Sequence, residues 1–161
     1  MLVPLLQIEQ DWHLLYIRRT ETVQNHRGQV AFPGGAAEPE DSSVEATALR
    51  ETHEEIGLPS GCVRVFGHLN EFKTNSNYLL TPVVGCIPWP YPFVLSKDEV
   101  SHLFTIPLAW LADPSHREER PFMTGAGTQE KVIFYQVYNS ELLWGITGYI
   151  TVLLLKILGM E

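Results

Sequence analysis

The sequence predicts an α+β domain. Short strand-like stretches, several of them joined as hairpins, occupy most of the chain, while only three stretches read as helices. With 161 residues, 45% of them apolar, the chain is long enough for one domain with its own core, so residues 1–161 are expected to form a single domain.

Residues 3–8 and 12–18 read as two strands around a turn at 9–11. Leu14, Tyr16 and Arg18 alternate with Leu15 and Ile17, which suggests one half-buried face. The polar run 20–28 reads as a loop, and 29–32 as a short strand entering the Pro33-Gly34-Gly35 turn. Ser42 or Ser43 is a natural N-cap, and Ser42 with Glu45 forms a capping-box pattern. The helix should run to about Ile56, with Gly57 as its stop and Pro59 preventing continuation. Stretches 62–72 and 78–89 look like paired strands, and prolines 88, 90 and 92 then break the chain into a loop. Residues 99–106 read as another strand, with Pro107 at the first position of a short helix. Residues 118–123 and 131–138 flank a glycine-containing hairpin signal, and Ser140 is the expected cap of the last helix.

The formal charge of −8 argues against a nucleic-acid polymer as partner, because binding one draws on clustered Lys and Arg. It suits a protein that holds anions through bound divalent cations. Cys62 and Cys86 lack any metal-ligand spacing and read as buried free thiols in a reducing, cytoplasmic setting. The first residues have no basic region of a signal peptide, and the apolar run 146–158 is short for a spanning helix. No membrane partner is therefore expected.

The chemistry concentrates on the helix after the glycine turn. At 100° per residue, Glu51, Glu54 and Glu55 share an arc of roughly 100°, with Leu49, Thr52 and Ile56 on a neighbouring core side. Like charges at these spacings repel, and the C-terminal end of a helix disfavours anions. Such a face wants a cation. Hard carboxylate oxygens without His or Cys on the arc favour Mg²⁺ or Mn²⁺ over zinc. A solvent-facing acidic tail is the alternative if the helix is read alone.

The surroundings narrow this. Gly35, then Asp41 after five residues, then Arg50-Glu51-Thr52-His53-Glu54-Glu55-Ile56-Gly57-Leu58 closely resembles the Nudix box, Gly-x5-Glu-x7-Arg-Glu-U-x-Glu-Glu-x-Gly-U, where U is bulky and apolar. This chain departs from the pattern in having Asp41 for Glu, eight residues instead of seven between Asp41 and Arg50, and Thr52 at a U position. The resemblance implies a Nudix fold, an α/β/α sandwich with a mixed sheet, and metal-dependent hydrolysis of a nucleoside diphosphate linked to another group. It also implies that Glu51, Glu54 and Glu55 hold the metal with the Gly35 carbonyl. Arg50 would orient the carboxylates. Glu99 would complete the metal site or act as base, a strand-edge charge being the alternative. Family members often form homodimers, which the sequence leaves open.

A narrower pattern is similar to the coenzyme A diphosphatase branch of the family. That branch has Arg, Ser or Ala, three residues, Arg, three residues, Gly, three residues and Phe-Pro-Gly-Gly. Here Arg19, Thr20, Gln24, Gly28 and residues 32–35 stand at those positions, with Gln24 replacing Arg and Thr20 replacing Ser or Ala. The residue added after Asp41, Glu99-Val100, the segment 104–108 and the segment 144–147 also look like that branch. The implied substrate is coenzyme A or a derivative, cleaved to 3′,5′-ADP and a 4′-phosphopantetheine product. Arg18, Arg19, His26 and Arg27, beside the Gly34 turn, would form the anion-facing patch for its 3′-phosphate. The alternatives are a Nudix hydrolase of an ADP-sugar, dinucleotide or oxidised nucleotide, and a nucleotide-binding module without catalysis.

Overall fold

The computed structural model describes residues 1–21, 27–74, 78–123, 127 and 129–160, arranged as two compact units, Met1–Thr105 and Ile106–Glu161. The first unit carries the sheet and the acidic helix. Strand β1 (Leu2–Ile8) turns through Glu9 and Gln10 into β2 (Asp11–Arg19) and pairs with it antiparallel. On its other edge β1 pairs parallel with β7 (Val83–Cys86), and β7 pairs antiparallel with β4 (Arg64–His68). The short β3 (Val30–Ala31) and β8 (Val100–Pro107) both pair with β2. Among the described residues the sheet is thus six-stranded and mixed, as an α+β fold with this sheet type requires.

The 62–72 and 78–89 stretches are each divided in two. Gly67 marks a register shift in β4, and Leu69 N–H donates to the carbonyl of Pro82, a residue that cannot itself donate to a ladder. The remnants β5 (Phe72–Lys73) and β6 (Leu79–Leu80) form a separate two-stranded pair.

Helix α1 (Val44–Ile56) begins at Ser43, whose side chain accepts from Ala46 N–H, so Ser43 and not Ser42 is the cap. It ends at Gly57 with φ 68°, and the otherwise unpaired carbonyls of Glu55 and Ile56 accept from Ser96 and Val94 N–H at 2.9 and 3.1 Å. The buried side of α1 is Thr47, Ala48, Thr52, Glu55 and Ile56. Leu49 is only half-buried, which corrects its expected place in the core. The fully buried Thr52 satisfies its hydroxyl internally by donating to the Ala48 carbonyl at 2.6 Å.

Ala48 and Ile56 pack with Leu2, Leu6, Leu15, Ile17, Leu58, Val83 and Val100 in one cluster. Each such fully buried large side chain contributes about 1.5–3 kcal/mol. The other face of β2 is equally dry. Leu14 and Tyr16 are fully buried, and Tyr16 stacks on Phe32 and Phe104 at 4.8 and 5.7 Å. The expectation of a half-exposed face is therefore corrected. Tyr91 and Phe93 pack against the α1-side cluster, while Tyr78 is exposed. Cys62 is also exposed, at the end of a single 3₁₀ turn, contrary to its expected burial.

In the second unit, α2 (Leu108–Ala112) follows Pro107, which is its cap and not its first residue. A hairpin of β9 (Arg117–Met123) and β10 (Gln129–Tyr135) packs with α3 (Gly145–Ile157), where Gly148 lies against Ile133. Ser140 does not cap α3. Asn139 and Ser140 both have positive φ and form the two-residue turn between Tyr138 and Glu141, which bond each other's backbones. Trp144 occupies the cap position without a side-chain bond and stacks on Phe134 at 5.3 Å. Among the described residues no helix is long and apolar enough to cross a membrane.

Candidate active site

The α1 carboxylates are divided by the helix face each occupies. Glu54 projects into solvent, Glu51 is partly covered, and Glu55 is 1% exposed. One partner of Glu55 comes from the glycine turn: its Oε2 accepts the Gly34 N–H at 2.9 Å. The other comes from the end of β2, where Arg19 Nη1 stands 3.4 Å from Oε1. The pleat explains this choice. Leu15, Ile17 and Arg19 point to the α1 side of the sheet, and Arg18 points to the side of Leu14 and Tyr16. Arg18 and Arg19 therefore do not share a face, which corrects the expected patch. His26 and Gln24 lie outside the described residues. Arg27 is exposed at the start of the turn into β3.

Arg50 is the hub on the other side. Its Nε and Nη2 grip both oxygens of Asp41 at 3.1 and 3.0 Å, and Nη2 also donates to the Ala36 carbonyl at 2.9 Å. Its Nη1 lies 3.0 Å from Glu51 and 3.1 Å from Glu54. Asp41 accepts further from Glu38 N–H and the Thr47 hydroxyl, each at 2.9 Å. The Arg50 guanidinium and these donors hold the Asp41 carboxyl well below its ordinary range, and Asp41 in turn pushes Arg50 upward. Asp41 is thus the anchor of Arg50. Its place in the box pattern was the sequence signal for it, while Thr47 carried none.

Burial sets the proton affinity of the other two carboxyls. Desolvation pushes Glu55 up to about 7, against the lowering effects of Gly34 N–H and Arg19, with the charges of Glu51 and Glu99 adding to the rise. Glu51 is raised mainly by burial, opposed by Arg50, with Glu54 and Glu99 again adding repulsion. Glu99 is therefore electrostatically part of this group although it precedes β8, far along the chain.

The donor set fits a hard divalent cation. It consists of crowded carboxylate oxygens that repel one another, with a bare backbone beside them: a Cβ on Gly35 would stand 2.4 Å from Glu51 Oε2. Among the described residues, no three acidic, His or Cys side chains are already gathered as a ligand set. Arg50 draws Glu51 and Glu54 toward itself, while Gly34 and Arg19 hold Glu55. The expected residues are thus brought to one end of α1, but holding a metal would require Glu51 and Glu54 to turn from Arg50.

Comparison with known proteins agrees with this geometry. The model of the NUDIX domain matches residues 2–124. A Photorhabdus laumondii protein described as an uncharacterized Nudix hydrolase, NudL, is 40% identical over 137 residues, covering 85% of this chain and 72% of that protein. Among solved structures, an Ap4A hydrolase of C. elegans in a binary complex superposes with a TM-score of 0.57 at 16% identity, covering 66% of this chain and 77% of that chain. RenU, a Nudix hydrolase of M. smegmatis, gives a TM-score of 0.57 at 21% identity, covering 70% and 71%. At these identities the two structures speak for the fold alone. With the box on α1 and its carboxylates at one end of that helix, the chain belongs to the Nudix hydrolases, which hydrolyse pyrophosphate bonds and generally use divalent metal ions.

Proposed function

We propose that this Nudix hydrolase cleaves the diphosphate of coenzyme A or an acyl derivative, releasing 3′,5′-ADP and a 4′-phosphopantetheine product. The observation that carries the reading is the described stem, Thr20 with Arg27 and Gly28, at the end of β2. Arg19 N–H donates to Gln29 and Gly28 N–H to Thr20, which closes the loop at the end of β2. Its described stem carries the exposed Arg27, and the chain then runs along β3 into Gly34 and Gly35 at the carboxylates. A cation on this loop, joined by a few residues to the diphosphate end of the site, suits a substrate with a second phosphate. The resemblance of residues 19–35 to the coenzyme A diphosphatase pattern supports the same substrate.

In this reading Glu51, Glu54 and Glu55 would hold Mg²⁺ or Mn²⁺ with the Gly35 carbonyl, and Glu99 would add a fourth carboxylate. The bound cation supplies charge neutralisation of the diphosphate and activation of water. Arg50, locked by Asp41, holds Glu51 and Glu54 at this end of α1 in the metal-free protein, and both would swing from it onto the cation. Arg19 and Gly34 N–H fix Glu55. The test compares rates on coenzyme A and dephospho-coenzyme A, with products identified by mass. A clear preference for coenzyme A that Arg27→Ala reduces is the expected outcome. Equal rates on both compounds refute the substrate assignment and leave the hydrolase itself intact.

A further inference from the structure

The residue after Arg19 makes two bonds that connect the end of β2 to the segment preceding β8. Thr20 Oγ1 donates to the Asp98 carbonyl at 2.7 Å, and Thr20 N–H donates to the Glu99 carbonyl at 2.9 Å. The same segment is pinned from the opposite side. Ser96 N–H donates to the Glu55 carbonyl at 2.9 Å, and the Ser96 carbonyl accepts Glu99 and Val100 N–H at 3.0 and 2.8 Å. The turn 96–99 is thus tied at one end to the C-terminus of α1 and at the other to β2.

We propose that Thr20 is a positioning residue for Glu99: its hydroxyl and amide hold the Asp98 and Glu99 carbonyls, and this tether fixes the Glu99 carboxylate beside Glu51 and Glu55. The inference rests on the reading of Glu99 as part of the metal-holding carboxylate group. Two features support it. Glu99 is exposed and no regular element contains it, so its placement depends on how its backbone is tied. The turn that ends at Glu99 is bonded to the Glu55 carbonyl at one end and, at the other, to the residue after Arg19, whose side chain meets Glu55; this places the turn on the Glu55 side of the sheet. Arg19 and Thr20 then divide the work of the β2 end. Arg19 fixes Glu55 through its side chain, and Thr20 fixes Glu99 through the backbone carbonyls of Asp98 and Glu99. The hydroxyl supplies the bond to Asp98, while the bond to Glu99 comes from the backbone N–H.

The test uses the full chain with Thr20→Val, Thr20→Ser, Glu99→Gln and the Thr20→Val/Glu99→Gln double variant. One neutral hydrogen bond corresponds to about a threefold to tenfold effect. Thr20→Val is expected to lower kcat by about that factor at unchanged KM, and Thr20→Ser to restore it. In the metal-free protein, the amides of Glu99 and Val100 should exchange with solvent about threefold or more faster in Thr20→Val and at the original rate in Thr20→Ser. On the Glu99→Gln background, Thr20→Val should cost nothing further. The proposal is overturned if Thr20→Val costs the same on both backgrounds. It is also overturned if Thr20→Ser is as damaging as Thr20→Val, or if Thr20→Val is fully active while Glu99→Gln is impaired. Full activity of Glu99→Gln instead refutes the reading of Glu99, and the Thr20 role with it.

Discussion

Glu55 gives the metal-free protein a pH dependence opposite in sign to that of an ordinary ion-paired carboxylate. Its proton affinity in the folded state is raised to about 7 from 4.5, chiefly by burial. Between these values the folded protein keeps a proton that the unfolded chain has released. Stability therefore falls as pH rises through this window, at up to about 1.4 kcal/mol per pH unit, or about 3 kcal/mol across it. The penalty is absent below pH 4.5 and complete above pH 7. Glu51, also raised, adds a decline of the same sign, while His13, lowered by burial, works the other way below its ordinary value. Comparison of wild type with Glu55→Gln isolates the contribution of Glu55. The assay is denaturant unfolding in EDTA from pH 4.5 to 8. The wild-type curve should lose about 3 kcal/mol relative to the variant over that range. Saturating Mg²⁺ or Mn²⁺ should flatten the difference, since a bound cation requires the deprotonated carboxylate. Parallel curves for the two proteins, or a wild type that gains stability over the variant with rising pH, would refute the reasoning.

Two substitutions test the glycines that approach the helix. Gly35→Ala should leave thermal stability close to wild type but reduce kcat about tenfold or more, because the new methyl meets the Glu51 carboxylate at 2.4 Å and displaces it; wild-type turnover in this variant would contradict the close approach. Gly57→Ala should destabilise the fold by about 1–2 kcal/mol from the left-handed backbone alone, and by more because its Cβ would stand 2.8 Å from the Val94 carbonyl; thermal unfolding measures it, and an unchanged midpoint would refute it.

Helix α1 was legible because its signals are local: a serine cap, a glycine stop, and carboxylates at helical spacing. What surrounds it depends on tertiary context. Nothing in the order of residues announces that Arg19 would meet Glu55 and Arg18 turn away, since this depends on which face of β2 receives the helix. Asp41 looked like an imperfect match to the box until its bidentate grip on Arg50 was visible. With eight residues between them, Asp41 still meets the guanidinium through both oxygens. Ser140 misled because serine serves turns as well as caps, and the backbone geometry that decides between them is not written in residue type. The stretches 62–72 and 78–89 each hold two shorter strands instead of one, the first interrupted after His68 and the second at Thr81 and Pro82.

Thr52 carries a consequence for how such sequences are recognised. Its hydroxyl closes on the Ala48 carbonyl within the same helix, so this threonine presents only its methyl group to the core. What the position demands is therefore a side chain with no polar atom left over, and hydrophobicity is one way to meet that demand. Serine, whose hydroxyl can close on the same carbonyl, becomes admissible there on the same terms. A pattern that insists on an aliphatic residue would reject sound members of the family and misjudge how freely this helix can vary.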